Sequence, residues 1–495
     1  MSKKYQNHIN GEWVDARSGE IFENRNPANW NEVVGTFPNS AKSDVEAAVK
    51  SAREAFDKWR LTPAPERGDI LRRVGDIMAE RKEEIAKNMT REMGKVLDET
   101  RGDVQEGIDT AYYAATEGRR MFGHTVPSEL PNKFNMSIRL PVGVAGIITP
   151  WNFPMAIPTW KIFPALVCGN CVVFKPASDT PLTAATFVEI LLEAGVPPKV
   201  LNLVHGGGKG VGTPLVSHPD VNLISFTGST GVGKSISKSA SDTLKRVSLE
   251  LGGKNAQIVM DDGDLDLALE GVLWGAFGTT GQRCTATSRL ILHEKIHDQF
   301  MEMLILAAQK LKLGDGLKPE SQVGPLINED QRKTVQEYVE IGESEGAKLV
   351  AGGNVYSEGD CANGWFHEPT IFLDVTPEMR IAKEEIFGPV LSVLRVNSFE
   401  EAIKVMNNST YGLSSSIYTH DVNRGFQAMR DIEAGITYIN GPTIGAEAHM
   451  PFGGVKETGN GHREGGWEVY EFYTETKTIF VDYSGKLQRA QIDNY

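Results

Sequence analysis

The sequence holds no run of about 18 apolar residues that could cross a bilayer. Its opening, Met1-Ser2-Lys3-Lys4-Tyr5, passes into polar residues and then Ile9-Asn10-Gly11-Glu12-Trp13-Val14, without the apolar core of a signal peptide. A cytoplasmic protein with no membrane partner is expected. Cysteine is scarce: four in 495 residues make no disulfide framework and suit a reducing compartment. Cys168-Gly-Asn-Cys171 reads as C-x-x-C, but no second such pair completes a zinc site and the segment runs into apolar Val172-Val173-Phe174. Both thiols are expected to be structural, and no metal is expected. Positive charge is also short. A formal net charge of −14 repels phosphate backbones and excludes nucleic acid as a partner, so an anionic substrate would need local positive charge. Internal repeats and low-complexity segments are lacking, and 40% hydrophobic with 23% charged residues describes an ordinary globular chain.

What is present is material for two large domains. After a strand-rich lead, Ser43-Asp44-Val45-Glu46 has the pattern of a capping box, followed by apolar Val45, Val49, Ala52, Phe56 and Trp59 at helical spacing. Further helices are expected over about 65–89 and 97–120, with Gly94 near the break, and an extended stretch over 136–149. Short apolar runs at 172–175, 200–204, 223–226 and 247–249 then alternate with helix-length segments, as a parallel α/β sheet requires. A second alternating series has a strand at 290–292, helices around 296–311 and 329–345, and strands near Ile371, Val390, Ser415 and Ile436. Two α/β domains meeting near 250–285 are the economical reading. Residues 474–483 form one more strand, placed to dock on another domain or subunit.

One motif invites a different function. Gly228-Ser-Thr-Gly-Val-Gly233-Lys234-Ser235 fits the phosphate-loop pattern G-x-x-x-x-G-K-[ST] between a strand and a helix, the context of a nucleoside-triphosphate hydrolase or kinase. That alternative also needs an acidic strand end for magnesium, and its loop normally follows the first strand of the fold, whereas several strands precede this one. A glycine-rich turn into a helix still offers backbone N–H groups to any nucleotide's phosphate. His205-Gly-Gly-Gly-Lys-Gly-Val-Gly212 fits no dinucleotide fingerprint and reads as a mobile loop.

The stretch Phe277-Gly-Thr-Thr-Gly-Gln-Arg-Cys-Thr-Ala-Thr287 sets Cys284 among small and hydroxyl residues beside Arg283, a setting suited to a nucleophilic thiol. Five more motifs stand in order along the chain: Pro150-Trp-Asn-Phe-Pro154, Phe174-Lys-Pro-Ala177, Phe226-Thr-Gly-Ser229, Glu250-Leu-Gly-Gly-Lys-Asn255 and Glu384-Glu-Ile-Phe-Gly-Pro-Val390. Together the six resemble the aldehyde dehydrogenase superfamily over nearly the whole length, from Asn10-Gly-Glu-Trp13 to Pro451-Phe-Gly-Gly-Val-Lys456. The resemblance implies an NAD(P)-dependent enzyme that oxidises an aldehyde to its acid. It implies a Rossmann-like dinucleotide-binding domain (1–122 and 142–252), a catalytic domain (253–455) and a small β bridging unit (123–141 and 456–495) through which the family forms homodimers or homotetramers. In this reading Cys284 is the nucleophile, Asn152 an oxyanion donor and Glu250 the base that activates water. Thr149, Pro150, Trp151, Lys175, Ser178, Gly228, Ser229, Glu385 and Phe387 fall to the cofactor, and Phe153 and Arg283 to the substrate.

One departure bears on the cofactor. NAD-preferring members often carry glutamate three residues after the lysine; here Ser178 stands there, which neither binds the ribose hydroxyls as a glutamate would nor repels a 2′-phosphate, so NADP is expected to be tolerated or slightly favoured, while Asp179 next to it leaves the preference open. Arg283 with Gly445-Ala446-Glu447 resembles the α-aminoadipic semialdehyde branch, and Thr285-Ala-Thr-Ser-Arg289 the α-ketoglutaric semialdehyde and glyceraldehyde dehydrogenases, so a semialdehyde or other small polar aldehyde is the expected substrate. Arg283 either clamps a distal carboxylate with two hydrogen bonds or supports the cysteine loop.

Overall fold

The computed structural model describes residues 3–493. Met1, Ser2, Asn494 and Tyr495, which the segment bounds 1–122 and 456–495 include, lie outside the described residues. Among those described, two seven-stranded sheets and a three-stranded sheet organise the chain.

The first sheet runs in the order 246–250, 223–227, 144–148, 171–175, 201–203, 7–9, 12–14. Its first five strands are parallel, and the N-terminal hairpin Asn7–Ile9 and Glu12–Val14 closes one edge antiparallel. Val144–Ile148 and Cys171–Lys175 are buried at every residue, which is why they read as unbroken apolar runs: helices cover both faces. The chain builds outward from Val144–Ile148 in both directions, so strand order reverses at this strand. In such a sheet a crevice opens at the carboxyl ends beside the reversal. The second sheet, ordered 348–351, 370–373, 390–396, 289–293, 256–259, 414–418, 436–439, is parallel apart from Lys348–Ala351.

Three local expectations need correction. The first helix is Lys42–Trp59, and its cap comes from Asp44, whose carboxylate accepts from the N–H of Ala41 and of Arg17, each at 3.0 Å, rather than from Ser43. The stretch 65–89 is two helices, Ala64–Glu80 and Lys82–Met93, because Arg81 (φ −100°, ψ 11°) leaves helical geometry. Residues 208–212 are no loose loop: they form a π-helical turn running into the helix Thr213–Ser217.

The strand Thr474–Asp482 finds its partner within the chain, pairing antiparallel with Lys133–Pro141 from Thr474 opposite Pro141 to Asp482 opposite Lys133. The hairpin partner Thr125–Pro127 completes this small sheet, which leaves Phe134, Phe480 and Val481 exposed. Just before it, residues 457–460 lie along the free edge of Arg246–Glu250. Leu251 N–H donates to the Thr458 carbonyl at 2.7 Å, Leu249 N–H to Asn460 Oδ1 at 3.0 Å, and Asn460 Nδ2 to the Val247 carbonyl at 2.6 Å.

Candidate active site

Two hollows flank the cysteine stretch. The first, about 700 Å³, lies at the carboxyl ends of the first sheet beside the strand reversal. Of the residues that the resemblance assigns to the cofactor, Thr149, Pro150, Trp151, Lys175, Ser178, Gly228 and Ser229 line it, whereas Glu385 and Phe387 do not. Its walls also include Gly208 and Lys209 from the π-helical turn and the first turns of the helix Thr230–Ala240, whose N-terminal N–H groups face it from behind Ser229. Thr227 Oγ1 at the rim is buried without a hydrogen-bond partner, so the turn keeps polar capacity in reserve for a ligand. The phosphate-loop lysine is elsewhere: Lys234 Nζ pairs with Glu457 at 3.0 Å on an exposed face and does not line the cleft.

The second hollow, about 350 Å³, holds Cys284, Arg283 and Phe153, with Trp160, Trp274 and Tyr438 among its walls. Cys284 is half-buried, whereas Cys168, Cys171 and Cys361 are buried and free. Burial, then Glu385 and Glu250, pushes its thiol up to about 12, and burial does the same to Cys168 and Cys171. Acidity therefore does not single out Cys284; access to a cavity does. Its carbonyl accepts from Asn255 Nδ2 at 2.7 Å, pinning the backbone while the sulfur stays open.

The turn that delivers Cys284 is unusual. Thr279 (φ 51°), Thr280 (φ 57°) and Gly281 (φ 68°) are three successive left-handed residues. Each non-glycine residue in that region costs about 1–2 kcal/mol, more so when β-branched. Compensating bonds are dense: Thr280 Oγ1 donates to the Gly324 carbonyl at 2.9 Å, and Gln282 Oε1 accepts from the Ile327 N–H at 2.9 Å. Gly281 is obligatory, since a Cβ there would sit 2.1 Å from the Gly388 carbonyl oxygen. Asn152 joins the same knot, its Nδ2 donating to the Gln282 carbonyl at 3.1 Å while Oδ1 is buried without a partner.

Glu250 ends the strand Arg246–Glu250, 3% exposed, and neither carboxyl oxygen has a hydrogen-bond partner. Burial first and Glu464 second raise its pKa well above the ordinary value, with Lys161 and Arg463 opposing. Sequence reasoning missed the neighbouring pair: Lys161 and Glu464 are ion-paired at 0% and 3% side-chain exposure, and Lys161 Nζ also donates to Ser225 Oγ at 2.9 Å. Glu385, pushed up to about 7 by burial, accepts from Gly253 N–H at 3.0 Å. Phe387 (φ 58°) meets Trp151 edge-on with ring centroids 5.4 Å apart.

Arg283 is already engaged. Its Nη2 pairs with Glu99 at 3.1 Å, Nε donates to Thr279 Oγ1 at 2.9 Å, and its plane lies over Phe153 and Trp274 at 5.4 and 5.8 Å. The helix Leu97–Glu117 contributes Glu99, Asp103 and Glu106 to the same cavity. Asp103 is ion-paired with buried Lys95 at 2.8 Å. Glu106 keeps a buried, unpartnered Oε1, and burial followed by Asp103 pushes its carboxyl up to about 8. The spacing i, i+4, i+7 of these three acids is the signal that could have found them. A further pattern, His293-Glu-Lys-Ile-His297, fits H-E-x-x-H, but the two imidazoles share no helical face. His293 caps the helix Glu294–Ala308, accepting from Lys295 N–H at 3.3 Å, and His297 Nδ1 lies 2.8 Å from both Asp298 and Arg395. Among the described residues no group of three metal-ligating side chains assembles.

Comparison with known proteins agrees with this layout. The family model described as aldehyde dehydrogenase family matches residues 13–479. The alpha-ketoglutaric semialdehyde dehydrogenase of Bacillus subtilis is 45% identical over 96% of this chain and 98% of that protein. The 2,5-dioxopentanoate dehydrogenase of Saccharolobus solfataricus is 42% identical over 97% of this chain and 99% of its own length. Among solved structures, a betaine aldehyde dehydrogenase from Staphylococcus aureus in complex with NAD+ superposes with a TM-score of 0.95 at 35% identity, covering 98% of this chain and 95% of that one. A cleft at a strand reversal, a cavity thiol and near-full-length similarity converge: this chain belongs to the aldehyde dehydrogenase family and oxidises aldehydes to carboxylic acids with NAD(P).

Proposed function

We propose that Cys284, Asn152 and Glu250 carry the chemistry; the observation that carries this reading is that Cys284 lies in the wall of the second hollow and is part-exposed, whereas Cys168, Cys171 and Cys361 are buried. The Cys284 thiol gives its proton to solvent water and its sulfur bonds the aldehyde carbon, the carbonyl π pair moving to oxygen to give a thiohemiacetal oxyanion. Asn152 Nδ2, beside the cysteine turn, donates to that oxygen along with backbone N–H. The oxidised nicotinamide, when bound, accepts the hydride that the carbon expels. The thioester that remains is cleaved by water whose proton goes to Glu250, a carboxyl whose burial and neighbouring Glu464 make it a stronger base than an ordinary glutamate. The acid leaves and the thiol is regenerated.

The large cleft fits the dinucleotide. Ser229 and the helix start behind it suit the pyrophosphate, and Lys175 and Ser178 the adenosine ribose; Trp151 leads from the cleft to Phe387, which meets it edge-on outside the lining and with Glu385 suits the nicotinamide end. Ser178 and Lys209 in that wall support use of NADP as well as NAD, and Asp179 beside them keeps a carboxylate near the ribose position.

For the substrate we infer a short semialdehyde with a charged far end. The names of the similar semialdehyde dehydrogenases support this, as do Arg283 and Glu106 in the cavity wall. Phe153 forms an apolar side of that cavity. The exposed apolar residues of the small sheet support assembly as a homodimer or homotetramer, with dinucleotide-binding (1–122, 142–252), catalytic (253–455) and bridging (123–141, 456–495) parts. No described helix is long and apolar enough to cross a membrane, and four free cysteines fit a cytoplasmic setting.

The test is a panel of neutral, carboxylate-tailed and amino-acid-tailed semialdehydes, followed by nicotinamide absorbance with NAD and NADP for the wild type and Cys284→Ala. Loss of all turnover in Cys284→Ala is expected. Retained turnover would remove the nucleophile, and a higher kcat/KM for neutral aldehydes than for charged ones would remove the substrate class.

A further inference from the structure

The left-handed turn before Cys284 is gripped from outside by one charged group. Glu99 Oε1 accepts from the N–H of Thr279, the first left-handed residue, at 2.7 Å, and from Arg283 Nη2, just past the turn, at 3.1 Å. Arg283 then closes the ring by donating Nε–H to Thr279 Oγ1 at 2.9 Å. A single carboxylate oxygen thus ties both ends of a three-residue arc whose backbone would relax elsewhere if released. Glu99 sits in the first turn of the helix Leu97–Glu117, on the wall of the acyl cavity, with a side chain only 12% exposed. The helix is therefore coupled to the nucleophile through this carboxylate.

The same contact sets a charge. Arg283 turns Nε and Nη2 inward, which leaves Nη1 for a ligand. A substrate carboxylate in the cavity meets a guanidinium already half-neutralised by Glu99.

We propose that Glu99 is a positioning residue: it fixes the entry of Cys284 into the acyl cavity and, through its ion pair, limits the positive charge that Arg283 shows to the aldehyde's tail. The proposal rests on Cys284 being the nucleophile. Displacing a reacting atom by about 1 Å costs on the order of a hundredfold in rate. Glutamine at 99 keeps an oxygen for the Thr279 N–H but removes the charge; alanine removes both.

The experiment compares wild type, Glu99→Ala, Glu99→Gln and Glu99→Asp as full-length enzyme. It reads kcat and KM for a neutral and a carboxylate-tailed aldehyde, together with the rate of Cys284 alkylation by iodoacetamide against a Cys284→Ala background. Glu99→Ala is expected to lower kcat for both aldehydes by roughly ten- to a hundredfold and to change the alkylation rate. Glu99→Gln is expected to bring kcat back to within about fivefold of wild type while lowering KM for the carboxylate-tailed aldehyde alone, about threefold. A Glu99→Ala enzyme with wild-type kcat and alkylation rate would overturn the positioning role, and equal KM changes for both aldehydes would overturn the charge role. Should Glu99→Ala fail to fold, Glu99→Gln and Glu99→Asp decide, since a purely structural role gives no split between the two aldehydes. Turnover that survives complete alkylation of Cys284 would indict the nucleophile itself and not the clamp.

Discussion

Lys161→Met tests the electrostatics around Glu250. Lys161 is fully buried, paired with Glu464 and bonded to Ser225, and its charge opposes the upward shift of Glu250. Methionine keeps the length of the chain and removes the ammonium. Glu464 is then left without its counter-ion in a medium that cannot hold an unpaired charge, and it takes up a proton instead. Protonating a glutamate of ordinary pKa costs about 3.7 kcal/mol at pH 7 and about 1 kcal/mol at pH 5. The lost ammonium-to-hydroxyl hydrogen bond adds about 1 kcal/mol at either pH. The expected destabilisation is about 4–5 kcal/mol at pH 7, in the range for breaking a buried pair, and about 2 kcal/mol at pH 5. The sign follows from linkage: the native variant holds a proton that its unfolded chain has released above pH 4–5, so its stability falls as pH rises. Urea unfolding of variant and wild type, followed by tryptophan fluorescence at both pH values, reads the difference. A loss of equal size at the two values would refute the reasoning, as would failure of Lys161→Met with Glu464→Gln to recover most of it.

Glu250→Gln should release one equivalent of NAD(P)H per site in a burst and then slow by about 10²–10⁴, with an acyl-enzyme detectable by mass spectrometry; a slow first turnover would place Glu250 before hydride transfer instead. Gly281→Ala, with its new Cβ 2.1 Å from the Gly388 carbonyl and φ of 68°, should lower stability by about 1–3 kcal/mol or more and lower kcat with it; an unchanged melting temperature would contradict the packing around the turn. Ser178→Glu should raise KM for NADP by roughly tenfold and leave KM for NAD within twofold, read in steady-state assays; equal changes would remove Ser178 from the 2′-phosphate's vicinity.

Much of this was legible in the sequence where chemistry repeats a local pattern. Apolar runs such as Val172-Val173-Phe174 became central parallel strands because burial on both faces leaves no room for polar residues. The cofactor-wall motifs are short and sit at strand ends, so reading the strands located them. The buried charges around the site were less legible. Lys161 and Glu464 are 303 residues apart and meet only through the fold. Glu99, Asp103 and Glu106 lie on one face of a helix whose opposite face packs the core, so they resemble a solvated stripe until a cavity is found against them. The left-handed Thr279 and Thr280 could not be inferred at all, since local preference runs against that geometry and only tertiary bonds impose it. Ser43 misled as a cap because Asp44, one residue on, makes the stronger charged bond.

The clasp of residues 457–460 along Arg246–Glu250 has a consequence for assembly. Glu250 is backed on one side by its own sheet and on the other by chain more than two hundred residues downstream, with the Gly459 backbone directly opposite it. The large cleft, the cysteine turn and the second hollow are all encoded before residue 457, yet the wall behind the Glu250 carboxylate is not. Completing that wall requires closing a loop of more than two hundred residues, a non-local contact of the kind that slows folding. A protease cut in the exposed 460–463 turn would loosen that wall while leaving the thiol's surroundings intact.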